Sequence, residues 1–246
     1  MSIENKSVVI TGAASGIGLA CAQLFAKEGA RLVLADRQAS ALQAVVSGLG
    51  DSPHAVHSMA IDVGASGQCR ALVDAALQAH GRIDVLIHAA GICVAQPLLE
   101  MSDEQWRETL RVNLDGSFFI TREVARAMVA QKSGTMVLLT SDRGLYGSAS
   151  YAHYAASKGG MIALTKSLAL SLGQHGVTVN GLNPGMTDTP LARHANPHHW
   201  DAKAAQDVLG SANLPEHAAQ TLLYLAGVGS RFTTGQIVGT RMRHGQ

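Results

Sequence analysis

Tyr154 and Lys158 stand four residues apart in the stretch Ser150-Tyr151-Ala152-His153-Tyr154-Ala155-Ala156-Ser157-Lys158-Gly159-Gly160. On an α-helix that spacing puts a phenol and an ammonium on one face, about one turn apart. A nearby cation favours the phenolate and is expected to lower the tyrosine pKa from its ordinary value of about 10. A tyrosine tuned in this way can exchange a proton with a substrate hydroxyl near neutral pH. Ser141, thirteen residues earlier at the end of an apolar run, can hydrogen-bond the same oxygen. Tyrosine–lysine pairs at this spacing are also common on helices that do no chemistry, so the rest of the chain has to decide.

A second group of residues suits a phosphate. Thr11-Gly12-Ala13-Ala14-Ser15-Gly16-Ile17-Gly18 follows the β-branched run Ser7-Val8-Val9-Ile10-Thr11 and opens a helical pattern. Glycines let the backbone turn tightly and approach a pyrophosphate, and a helix N-terminus offers free N–H groups. The spacing is G-x-x-x-G-x-G. Asp36 ends the next strand, Arg31 to Asp36, eighteen residues after Gly18. A carboxylate there can accept hydrogen bonds from both ribose hydroxyls of NAD and would repel the 2′-phosphate of NADP. Arg37 beside it can hold such a phosphate or stack on an adenine; NAD is the preferred expectation.

The elements that must position these groups alternate from end to end. Strands are expected at 7–11, 31–36, 55–62, 83–90, 135–140, 177–182 and 235–239. Helices are expected from about Gly16, 39–49, 66–79, from the capping box at Ser102-Asp103-Glu104-Gln105 to about Ala130 with interruptions at Asn113 and Gly116, through Tyr154 to about Gln174, and 215–226. An irregular, His-rich segment reaches to about Ala212. Alternation of this kind predicts a parallel sheet of about seven strands with helices on both faces. Loops bearing Gly12, Asp36, Asp62, Ala90, Ser141 and Pro184 all follow strands, so they should converge on one edge, where ligands bind in such folds.

Composition narrows the function classes. The chain has 246 residues, 47% of them hydrophobic, enough for a sizeable core, and a formal net charge of +1, which gives no footprint for nucleic acid or an anionic membrane. Cys21, Cys69 and Cys93 form no CxxC motif or disulfide framework, as expected in a reducing compartment. With no signal-peptide pattern and no membrane-spanning run, a cytoplasmic protein is expected.

Taken together, these residues make the chain resemble the short-chain dehydrogenase/reductase family over essentially its full length. The pattern from Thr11 to Gly18 is similar to the family's cofactor motif, and Tyr154-Ala155-Ala156-Ser157-Lys158 to its catalytic motif. The resemblance implies a Rossmann-type, doubly wound, three-layer α/β fold, with 1–246 as one dinucleotide-binding and catalytic domain and a substrate lid over about 186–212. Gly12, Ser15, Gly16, Ile17, Gly18, Asp36 and Arg37 would hold the cofactor. So would Asp62 and Val63 at the adenine, Ala89, Ala90 and Gly91 after the fourth strand, and Pro184, Gly185, Thr187 and Thr189 at the nicotinamide amide, with Tyr154 and Lys158 beside the ribose. Asn113 would hold a water linking Lys158 to solvent. The implied reaction interconverts a secondary alcohol and a ketone with NAD(H). Tyr154 is the general acid/base, Lys158 its partner, Ser141 the substrate-orienting hydroxyl and Asn113 the end of the proton relay.

Other readings stay open beside it: an NADPH-dependent 3-oxoacyl-carrier-protein reductase, a cyclic dihydrodiol dehydrogenase, and a catalytically silent dinucleotide-binding regulator, which the intact Ser141, Tyr154 and Lys158 set disfavours. Two departures from the family pattern carry expectations. His88-Ala89-Ala90-Gly91 stands for N-N-A-G, so asparagine side-chain bonds should be lost at a cost to local stability. Thr240-Arg241-Met242-Arg243-His244-Gly245 replaces a D-G-G ending, so the homotetramer implied by the family, with Ala155, Ala156, Gly159 and Gly160 allowing close subunit approach, competes with a dimer. His194, His198 and His199 lack metal-ligand spacing, and no metal is expected. These histidines and Trp200 either touch substrate from the lid or lie on an exposed loop. His153 is expected to be structural and Arg143 to form a surface ion pair, with a substrate carboxylate as the alternative. Leu145, Val94 and Met186 are expected to line an apolar pocket wall.

Overall fold

The computed structural model describes residues 2–50, 54–196, 200–205, 207–227 and 232–240. Seven strands form one sheet in the order β3-β2-β1-β4-β5-β6-β7, every pairing parallel. They are β1 (Ser7–Thr11), β2 (Arg31–Asp36), β3 (His57–Ala60), β4 (Val85–His88), β5 (Gly134–Leu139), β6 (Val177–Asn183) and β7 (Ile237–Gly239). Strand order reverses between β1 and β4, and a crevice opens there beyond the carboxyl ends of the strands.

The two faces of the sheet follow from the period-2 alternation of side chains. Val8 and Ile10 of β1, Leu32 and Leu34 of β2 and Val85 and Ile87 of β4 enter one core. That core is closed by α1 (Gly16–Lys27), α2 (Ala39–Gly48) and α10 (Pro215–Ala226) through Phe25, Leu42, Leu222 and Leu225. Val9, Val33, Leu86, Met136 and Leu138 enter the other, closed by α3 (Ser66–His80), α5 (Gly116–Gln131) and α7 (Ala152–Leu172) through Leu72, Ile120, Val124, Met128 and Met161. Phe25 is fully buried; cutting it to alanine would cost about 3–5 kcal/mol.

Local signals account for the boundaries. Ser102 caps α4 (Asp103–Leu110) by the expected capping box: its hydroxyl accepts from Gln105 N–H at 3.3 Å while the Gln105 side chain accepts from Ser102 N–H at 2.8 Å. The interruption expected at Asn113 and Gly116 is a π-turn over Arg111–Asp115 joining α4 to α5. β3 is shorter than the run 55–62 because it is the sheet edge and pairs only with β2. Short helices α6 (Arg143–Tyr146), α8 (Pro190–Ala195) and α9 (Trp200–Ala204) complete the chain, the last two lying in the expected irregular segment. Among the described residues no helix is long and apolar enough to cross a membrane.

Candidate active site

The crevice holds a cavity of about 680 Å³, reached from the loops after β1, β2, β4, β5 and β6. Its floor is the glycine turn. Gly12 has φ +71°, and a Cβ there would sit 2.6 Å from Ala90 N; a Cβ on Gly18 would sit 2.0 Å from Gly12 O. Only glycine at both places lets the turn press against the β4 loop while α1 starts directly above it. Ser15 precedes α1 in an extended conformation and makes no side-chain cap, so the first-turn N–H groups are left to a ligand. Gly12, Ser15, Gly16, Ile17 and Gly18 all line the cavity.

At the far end the Asp36 carboxylate accepts from Ala14 N–H at 3.1 Å and from Gln38 N–H at 3.0 Å. It lines the cavity with Arg37, Asp62 and Val63. Asp62 accepts from Gly64 N–H at 2.8 Å and from Arg111 Nη1 at 2.7 Å, while Arg111 also forks onto Glu108. Arg111 lines the cavity too and was not singled out from the sequence; its pairing with Asp62 bridges positions 49 apart, which no local pattern reveals. A glycine cradle, unclaimed helix N–H groups and a strand-end carboxylate fit a dinucleotide.

His88 overturns one expectation. Its side chain is fully buried and both ring nitrogens are engaged, Nδ1 with Thr11 Oγ1 at 2.7 Å and Nε2 with Ser117 Oγ at 2.9 Å. The bonds expected to be lost with asparagine are replaced, and they tie β4 to β1 and α5. Burial, reinforced by Lys158, pushes its pKa down to about 3, so the ring is neutral. Ala89, Ala90 and Gly91 carry the strand end into the cavity wall.

Tyr154, Lys158 and Ser141 line the same cavity. Lys158 is buried and its ammonium donates to Leu139 O at 2.6 Å, 5.7 Å from the Tyr154 ring centroid. Burial lowers its pKa to about 8. The expected lowering of the tyrosine pKa is reversed: burial pushes Tyr154 up, aided by Cys93 and Asp142 and opposed by Arg143 and the Ser141 hydroxyl. Part of the tyrosine still opens onto the cleft. The physical reason is that burial strips water from the phenol and so disfavours the phenolate. Ser141 Oγ donates to Asp142 Oδ1 at 3.0 Å and accepts from Arg143 N–H at 3.2 Å.

Asn113 lies one layer behind. Its amide oxygen accepts from Ile92 N–H at 2.8 Å, and its Nδ2 donates to Ile92 O at 2.9 Å and to Ser157 Oγ at 3.1 Å. It does not line the cavity, though a Cβ on Gly91 would lie 3.2 Å from its Oδ1 and 3.8 Å from Lys158 Nζ. Pro184, Gly185, Thr187 and Thr189 do line it. Thr189 caps α8, accepting from Ala192 N–H at 3.1 Å, and crosses over the turn: a Cβ on Gly16 would meet its Cγ2 at 3.0 Å.

On the open side Arg143 departs from expectation. Among the described residues no carboxylate pairs with it. It lies half-buried with its guanidinium 3.7 Å from the Tyr151 ring centroid, because the neighbouring ring gives it a flat surface that the solvent side lacks. Val94 and Met186 line the cavity as expected, but Leu145 faces outward at 50% exposure because α6 turns it away. His194 lines the cavity, while Arg193 stacks on Trp200 at 4.8 Å. His153 is buried, and burial lowers its pKa from the ordinary imidazole value. Gly159 and Gly160 pack closely within the chain: added Cβ atoms would meet Gly144 O at 3.3 Å and Leu114 at 2.9 Å, so these two glycines accommodate α6 and the π-turn. His198, His199 and the stretch Arg241 to Gly245 lie outside the described residues; among the described ones no three potential ligands gather around a metal position.

Comparison with known proteins agrees with this geometry. Residues 6–200 match the family model described as short chain dehydrogenase. A 3-oxoacyl-[acyl-carrier-protein] reductase FabG from Thermotoga maritima is 36% identical over 239 residues, covering 97% of each chain. The (2S)-[(R)-hydroxy(phenyl)methyl]succinyl-CoA dehydrogenase subunit BbsD of Thauera aromatica is 35% identical over 238 residues, covering 97% of this chain and 96% of its own. Among solved structures, a 3-ketoacyl-(acyl-carrier-protein) reductase from Brucella melitensis complexed with NADH superposes with a TM-score of 0.91 at 26% identity, covering 98% of both chains. With the seven-stranded parallel sheet and the glycine cradle already in place, these matches make the chain an oxidoreductase of the short-chain dehydrogenase/reductase family, whose members bind NAD(P).

Proposed function

We propose that the protein interconverts a secondary alcohol and a ketone with NAD(H). The observation that carries the reading is that Tyr154, Lys158 and Ser141 share one cavity with the glycine cradle and Asp36. Gly12, Ser15, Gly16, Ile17 and Gly18 hold the pyrophosphate, Asp36 the adenine ribose, and Arg37, Asp62 and Val63 the adenine. Ala89, Ala90, Gly91, Pro184, Gly185, Thr187 and Thr189 hold the nicotinamide half. The bound nucleotide supplies or accepts a hydride. Tyr154, kept protonated by its surroundings, donates the proton in reduction and takes it back in oxidation. Ser141 orients the substrate oxygen, Lys158 replaces the charge, and Asn113 fixes the backbone beside them.

Preference for NAD is supported by the Asp36 carboxylate, which Ala14 and Gln38 hold in place where a 2′-phosphate would add like charge. It is also supported by the NADH bound in the Brucella melitensis neighbour. Turnover of an alcohol and ketone panel with NAD(H) against NADP(H), followed by nicotinamide absorbance, tests it: preference for NADPH would remove the Asp36 argument. Loss of turnover in Tyr154→Phe is the expected signature of the mechanism, and unchanged turnover would refute it. A second reading, reduction of a 3-oxoacyl thioester, is favoured by the names of the two curated relatives, both of which specify acyl-thioester substrates. A homotetramer, with a dimer as the alternative, is the assembly to test by light scattering.

A further inference from the structure

We propose that Arg143 is an anion-binding residue and that the substrate is a short hydroxy or oxo carboxylate held by it; this deepens the hydride-transfer reading and rests on it. Four observations meet at this side chain. It lines the substrate side of the cavity, directly after Ser141 and Asp142. Its guanidinium carbon lies over Tyr151, 3.7 Å from the ring centroid, and the hydroxyl of that buried ring donates to Ala195 O. The ring holds the guanidinium by its π face and takes up none of its N–H donors in a conventional hydrogen bond. Of the five guanidinium N–H donors, one points at a protein acceptor among the described residues, and that acceptor is the weakly basic Cys93 Sγ at 3.6 Å. Among the described residues the guanidinium has no carboxylate partner, although it is half-buried.

A partly desolvated cation with open donors is costly unless an anion meets it. A carboxylate matches the fork of a guanidinium with two parallel hydrogen bonds. The other charged or ionisable groups on this side are Asp142, Lys158, Cys93 and His194. Asp142 is taken up by the Ser141 hydroxyl and the Arg143 N–H at 2.8 Å, and Lys158 by Leu139 O. Arg143 is therefore the cation placed to receive a ligand's charge. Its Cζ lies 5.9 Å from the Tyr154 ring centroid. That short span suits a reacting carbon one or two carbons from the carboxylate. In the oxidative direction Tyr154 first gives its proton to solvent; the carbinol carbon then loses a hydride to NAD+ as its hydroxyl proton passes to the phenolate, and the products are the oxo acid, NADH and that one released proton.

The test compares wild type with Arg143→Gln and Arg143→Lys, each first shown to be folded by circular dichroism. Acetoacetate and pyruvate are set against ethyl acetoacetate and acetoacetyl-CoA, with NADH oxidation and, separately, calorimetric binding of acetoacetate as readouts. The expected result is a wild-type kcat/KM for one free acid about a hundredfold above its ester and thioester. Arg143→Gln loses that advantage mainly through KM while ester turnover stays within about threefold; Arg143→Lys recovers part of it. A wild type that prefers the ester or thioester, equal losses for acid and ester, or no acetoacetate binding would overturn the proposal. If no compound oxidises NADH but acetoacetate binding depends on Arg143, the hydride reading fails and the anion site stands.

Discussion

A defined share of the acid sensitivity should trace to the His88 ring. His88 accepts from the Thr11 hydroxyl at Nδ1 and donates from Nε2 to Ser117 Oγ, whose own proton goes to the Asn113 carbonyl. Ala90 N–H in turn points at Thr11 Oγ1 at 3.5 Å. The direction of this chain fixes the tautomer: Nδ1 must be unprotonated. An imidazolium would present a second N–H to a hydroxyl that already donates to it. An unfolded histidine titrates near 6.5, whereas the folded one is held down at about 3. Between these values the unfolded chain binds the extra proton, so stability is complete above about pH 6.5 and falls as pH drops towards 3. At pH 5 the gap is about 1.5 pH units, or about 2 kcal/mol, which corresponds to a Tm shift of about 4–8 °C for a chain of this size.

His88→Asn keeps a donor and an acceptor but does not titrate. Urea unfolding of both proteins at pH 7.5 and pH 5 isolates the term, because every other group cancels in the difference. Wild type should lose about 2 kcal/mol more than the variant on acidification. Equal losses in the two would refute the claim that a neutral His88 stitches β1, β4 and α5 together.

Asp36→Ala should raise the NADP-to-NAD ratio of kcat/KM tenfold to a hundredfold, about 1.4–2.8 kcal/mol of removed repulsion; initial rates at saturating substrate measure it, and an unchanged ratio counts against the carboxylate as the discriminator. Gly12→Ala must move backbone, since its Cβ would lie 2.6 Å from Ala90 N at φ +71°; about 1–3 kcal/mol of stability should go, together with a raised KM for the dinucleotide, read by thermal unfolding and saturation kinetics. The rate of ketone reduction should fall as pH rises through about 8, where the buried Lys158 sheds its charge; a pH profile flat beyond that point would mean that the ammonium is not needed.

The sequence carried the fold because strand and helix periods alternate without interruption, and the parallel sheet with both faces covered follows from that pattern. Glycines at 12, 16 and 18 were legible because their spacing is itself a local pattern, although the contacts that demand glycine at 12 and 16 come from Ala90 and Thr189. What escaped depends on distant partners. The Tyr154 pKa direction turns on burial, and the Lys158 ammonium goes to Leu139 O, nineteen positions away. The partners of His88 sit 77 and 29 positions away, and the Arg111–Asp62 pair spans 49. Arg143 read as a surface charge because nothing near it in the chain announces that Tyr151 will lie beneath it.

The π-turn over Arg111–Asp115 fits one more residue into its coil than the helices on either side. Each residue of a helix carries about 100° of rotation. Deleting one residue between α4 and α5 would therefore restore the ordinary coil with Ile120, Val124 and Met128 still facing the sheet, while undoing the widened turn that carries Asn113 to Ile92. The extra residue at this junction therefore bears on the placement of Asn113 more than on the packing of α5 against the sheet.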